Sequence, residues 1–162
     1  MTAPPAQGAV SRAGLWLAFA GGAVLLATAL LTTTSVIRRW LTSQPVQGDF
    51  ELVSIGSGLA VFGFLALGTL RRTNIMVDSF TTWLPARVQA ALDAFWMLLW
   101  AAVAGVLAER LAVGARETLA NGTTTMVLGL PTWWAVALGA LGFAATSLAA
   151  LLVALRLLQG RG

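Results

Sequence analysis

The 162-residue chain has no cysteine and no histidine, and all ten of its basic residues are arginine. Without Cys or His there is no thiol nucleophile, no disulfide, no thiolate or imidazole metal site, no imidazole base and no histidine-ligated haem, which removes most catalytic chemistry. Charge is also scarce: Asp, Glu and Arg make up 10% of the residues, against about a quarter in an average soluble domain. With 58% hydrophobic residues and a mean hydropathy of +0.84, the chain cannot coat a water-facing surface of its size. Its natural solvent is lipid. A net charge of +4 would suit nucleic acid, but the arginines are scattered in ones and twos with no basic run, so no nucleic-acid partner is expected. No enzyme activity and no cofactor are expected either.

What is present is a set of long uncharged runs. The 25 residues between Arg12 and Arg38 reach roughly 37 Å as a helix, more than the ~30 Å hydrocarbon core, and give a first span at about 15–37. Ala27-Thr28-Ala29 would suit a signal-peptide cleavage site, but the apolar run continues eight residues past Ala29, which favours a retained anchor. Leu52 to Leu70 gives a second span at 52–70, opened by Glu51 and closed by Arg71 and Arg72, as the helix dipole prefers. Ala94 to Ala108 alone is only about 22 Å, so the third span is extended to about 88–111, with Asp93 in its first turns. Pro131 divides the 38 uncharged residues from Thr118 to Leu155 and leaves a fourth span at 132–155. The fold class is therefore an all-α integral membrane protein, one domain of four transmembrane helices plus short interfacial amphipathic segments at about 73–86 and 118–130. In the latter, 121–125 reads as a turn and 126–130 as a short apolar piece.

Alternate sides of these spans hold six and four arginines. The inner set would be Arg12, Arg71, Arg72, Arg87, Arg156 and Arg161, and the outer Arg38, Arg39, Arg110 and Arg116, which places both termini in the cytoplasm. Tryptophans gather near the span ends, as interface anchors do. Gly56/Ala60, Ala101/Gly105 and Ala135/Gly139 are small residues four apart that permit close helix contact. In the segment 71–93, Ile75, Val77, Phe80, Trp83 and Leu84 alternate with polar residues, as in a stretch lying on the membrane surface, and Pro85 ends it. Asp93 reads either as a structural acid near a helix start or as a partner contact.

Transport by the chain alone would need broken helices and a polar site at mid-membrane. Neither is visible; the charges stay near span ends. An independent homo-oligomeric carrier or channel, and a membrane enzyme, therefore have little to stand on, and an accessory subunit fits better.

The segments GDFELVSIGSGLAVFGFL, LRRTNIMVDSF, LPARVQAALDAF and TTTMVLGLPTWW, in that order between about Ile37 and Ala150, resemble the small DctQ-like membrane subunit of tripartite ATP-independent periplasmic (TRAP) transporters. In that family an acid opens the second span, here Glu51, and a basic pair precedes a His-Ile-x-Val-Asp type pattern, here Arg71-Arg72 and Asn74-Ile75-Met76-Val77-Asp78. Asn74 replaces the His found in many relatives and does not titrate, which argues against a proton relay there. The resemblance implies a bacterial inner-membrane system of three parts: a periplasmic substrate-binding protein, a large membrane subunit that works as a sodium-coupled elevator for an organic acid, and a small subunit that braces it among membrane lipid. Glu51, Arg71, Arg72, Asp78, Arg87 and Asp93 are then candidates for contact with the large subunit. Arg38, Arg39, Arg110 and Arg116 are candidates for docking the binding protein. A small subunit of a different multi-component transporter is the alternative.

Overall fold

A computed structural model describes residues 5–71 and 85–159. Among these described residues are four helices, α1 (Pro5–Thr42), α2 (Asp49–Leu70), α3 (Ala86–Ala120) and α4 (Trp133–Leu158), each long and apolar enough to cross a membrane. The protein is thus of the all-α membrane class expected from its uncharged runs. The segment 73–84 and with it most of the expected first interfacial piece lie outside the described residues.

Each helix stops for a local reason. Ser43 takes a left-handed conformation (φ 59°) after α1 and Pro45 follows, while Gly48 (φ 70°) leads into α2, whose first turn carries Asp49 and Glu51 at the positive end of the dipole. Pro85 precedes α3 and its carbonyl accepts the Val88 and Gln89 N–H groups. At the other end of α3, Gly122 (φ 62°) allows the Thr123 N–H to reach the Thr118 carbonyl (3.0 Å) and the Gly122 N–H to reach that of Leu119 (3.3 Å), a Schellman closure. Arg110 and Arg116 do not stop the helix, so α3 continues nine residues past the expected boundary at 111. Charge marks where hydrocarbon ends, whereas a helix ends only where the backbone is given another conformation. For the same reason residues 118–120 of the expected second interfacial piece belong to α3.

The helices pack in the order α1, α2, α4, α3, and among the described residues α1 packs closely on α2 alone. Between α1 and α2 the seam is built from small residues at steps of seven. Gly14 faces Leu70, Gly21 faces Gly63, Thr28 faces Gly56, and Ser35 bonds to Asp49. Gly14, Gly21, Thr28 and Ser35 are buried on α1. A seven-residue period keeps the contact stripe of two helices facing one another along a left-handed supercoil. The approach is backbone to backbone, since a Cβ on Gly63 would lie 2.6 Å from the Leu17 carbonyl oxygen and 2.9 Å from the Gly21 Cα.

Elsewhere side chains fill the gaps. Phe62 of α2 lies over Gly139 and Gly142 of α4 and meets Phe143 edge-on at 5.3 Å between centroids. Ala94, Met97, Val153, Ala154 and Leu157 form a buried cluster between α3 and α4. The Ser147 hydroxyl donates to the Ala101 carbonyl (2.8 Å), and the Trp100 indole N–H to the hydroxyl of fully buried Thr69 (3.3 Å), tying α3 to α4 and to α2. Of the most apolar window of each span, 33% is buried in α4 and 22% in each of the others, so the described residues leave most of the helical surface uncovered by one another.

Candidate functional site

Polar groups with fixed partners concentrate where the α1–α2 connection, the start of α2 and the α3–α4 connection meet. Ser35 and Asp49 begin the arrangement. The Ser35 hydroxyl donates to the Asp49 carboxylate and accepts the Val46 N–H (3.2 Å), while the other Asp49 oxygen accepts the Phe50 N–H (2.7 Å). Three segments of chain are joined through one buried hydroxyl.

Residues 123–132, which include the short apolar piece 126–130, form a small hairpin. The Thr125 N–H bonds to the Leu130 carbonyl (2.9 Å), the Thr132 N–H to the Thr123 carbonyl (3.1 Å), and Thr124 pairs with Pro131. The Thr125 hydroxyl accepts the Leu130 N–H (3.1 Å), which closes the turn from inside, and Gly129 (φ 63°) completes it. This turn is fastened to α2. Glu51 accepts the Val127 N–H on one carboxylate oxygen (2.7 Å) and the Leu128 N–H on the other (3.1 Å). Two N–H groups on one carboxylate are charge-assisted bonds, and Glu51 also lies at the favourable end of the α2 dipole. Gly48 completes the seat: a Cβ there would run into the Leu128 side chain.

Both carboxylates are thus engaged by the chain's own donors, and their chemical effect is to hold segments in register. Around them several large side chains are bare: Met126 is 99% exposed, Trp40 83% and Phe50 81%. Arg38, Arg39, Arg110 and Arg116 are all exposed at the same end of the bundle. Arg39 is near enough to attract Asp49, and Arg116 borders a groove of about 610 Å³ between α3 and α4, lined by Ala108, Ala112, Ala115, Ala137 and Ala140.

Of the candidate large-subunit residues, Glu51 is at this end of α2, whereas Arg71, Arg87 and Asp93 belong to the opposite end, separated from it by the length of the helix. Arg71 caps α2 with its N–H on the Leu67 carbonyl (3.0 Å) and is exposed; Asp93 is half-buried in α3. Arg87 falls in the first turn of α3, its side chain outside the described set, and Arg72 and Asp78 lie outside the described residues. Sequence reasoning missed Ser35 and the pairing of Glu51 with residues 127 and 128. The first had a readable signal, since Ser35 continues the seven-residue series of Gly14, Gly21 and Thr28; the second had none, because 76 residues separate its partners.

A family model described as "Tripartite ATP-independent periplasmic transporters, DctQ component" matches residues 28–160, which takes in the whole of this arrangement. No curated protein and no solved structure matches the chain.

Proposed function

Because the chain belongs to the DctQ family of small TRAP-transporter membrane subunits, we propose that it serves as the stationary brace of such a transporter in the bacterial inner membrane. It supports the large elevator subunit during sodium-coupled uptake of an organic acid and receives the periplasmic substrate-binding protein on one face. The observation that supports this best is the combination of four spans left mostly uncovered by one another with polar groups fixed at one end. Uncovered apolar helix faces suit lipid and a second membrane subunit, and a moving element needs a fixed one to move against.

In this reading the termini are cytoplasmic, as the six-to-four arginine distribution favours. The end bearing Arg38, Arg39, Arg110 and Arg116 then faces the periplasm and docks the binding protein. Arg71, Arg72, Asp78, Arg87 and Asp93 serve the large subunit from the cytoplasmic side. Glu51, whose oxygens are taken up within the chain, supports from inside.

The test is reconstitution. Vesicles containing this chain, the large subunit and the binding protein should accumulate an organic acid under a sodium gradient, and vesicles lacking any one of the three should not. Sodium-driven uptake by the isolated chain would overturn the reading.

A further inference from the structure

The hairpin turn presents an unusual combination of constraint and exposure. Its backbone is fixed three times over, by its own cross-bonds, by the two oxygens of Glu51 and by Leu128 seated against Gly48. Yet the side chains next to Leu128 point away from all of this: Met126 is 99% exposed and Val127 63%, with exposed Phe50 in the adjoining first turn of α2. Lipid conforms to any shape and gains little from a turn held in one position. A folded protein surface does gain, because the ordering of the contact has been completed before the encounter. Met126 adds an unbranched side chain that adapts to the surface it meets.

We propose that the turn 126–129 is a preset apolar contact for the water-soluble substrate-binding protein, and that Glu51 is the positioning residue that sets it. This rests on the docking reading above and gives it a centre. Exposed Arg38, Arg39, Arg110 and Arg116, with Glu109 and Glu117, surround the same end of the bundle as a charged rim, and an apolar centre with a polar rim is the usual anatomy of a protein interface. A partner arriving through water meets this end first in the proposed topology.

The experiment titrates the binding protein against uptake by the reconstituted complex. Replacing Met126 and Val127 together by Ser should raise the half-saturating concentration on the order of tenfold, the effect of losing one well-placed anchor, and leave the rate at saturation unchanged. Glu51→Ala should shift the same parameter and speed amide hydrogen exchange at Val127 and Leu128. Glu51→Gln, which keeps one acceptor oxygen, should fall between. Arg39→Glu and Arg116→Glu in the same titration report on the docking reading itself. If they shift the half-saturating concentration and the Ser variant does not, the apolar contact is wrong while docking stands; if none of them shifts it, both fail. Unchanged exchange at 127 and 128 in Glu51→Ala removes the positioning role. Loss of the large subunit on purification of the Ser variant, or a lower rate at saturation, assigns the turn to that subunit and overturns the proposal.

Discussion

The α1–α2 and α3–α4 pairs are both antiparallel helix pairs in one small bundle, but they keep their helices together by opposite means. Between α1 and α2 the contact forms where side chains are missing, and Gly21 and Gly63 let the two backbones touch. Between α3 and α4 the contact is filled by methyl groups, with Ala101, Ala104, Ala150 and Ala154 buried alongside Met97, Val153 and Leu157, and one hydrogen bond from Ser147 across it. The glycines of α3 have room: a Cβ on Gly114 would stand 3.9 Å from Val136 and one on Gly105 3.4 Å from the Ser147 hydroxyl. Lipid tails are as apolar as the side chains they would replace, so helix association in a membrane relies on close packing and hydrogen bonds. The first pair depends on distance of approach and the second on accumulated small contacts, and they should fail differently.

The largest effect is expected at Gly63→Val. No side chain can yield there, because the atoms in the way are the Leu17 carbonyl and the Gly21 backbone. Forcing the helices apart should destabilise the protein by about 1–3 kcal/mol, read as a lower midpoint of thermal unfolding in detergent. An unchanged midpoint would mean that the close approach is not what joins α1 to α2. Gly58→Ala sharpens the comparison on the same helix: nothing lies within 4 Å of its added Cβ, so the change should be neutral or raise stability by up to about 1 kcal/mol through helix propensity. Destabilisation at Gly58 would show that any glycine loss harms α2. Ser147→Ala should have only a small effect, a loss of about 0.6 kcal/mol, because bonds of this kind between membrane helices are weak and the alanine contacts around it persist.

The parts of this architecture that were legible in the sequence are those governed by local composition. Lengths of uncharged chain located all four helices, and the Asn121-Gly122 pair marked the end of α3 more truly than the arginines before it did. Packing was legible only in fragments. Gly56 and Ala60 were visible as a small-residue pair, but their partners on α1 follow a step of seven, which pairs four apart do not reveal. Phe62 over Gly139 and Gly142 could not be read at all, since nothing within one helix states which neighbour it meets. At the candidate site the acid opening α2 was noticed, whereas its bonds to Val127 and Leu128 depend on a hairpin whose stabilising groups are ordinary threonines and backbone.

A seam that repeats every seven residues matches itself again when slid by seven. Slipped once, it would set Gly14 against Gly63 and Gly21 against Gly56, with glycine again meeting a small residue at the points of closest approach. The glycines fix how near the two helices lie while leaving open which turn meets which, much as identical teeth on two combs mesh at any offset. The offset is distinguished at one end, where Ser35 meets Asp49 and the Val46 N–H across the six-residue connection 43–48. A single polar contact in an otherwise uniform interface is a known way to select one alignment. The glycines therefore act as a ruler without numbers, and Ser35 with Asp49 supplies the zero mark.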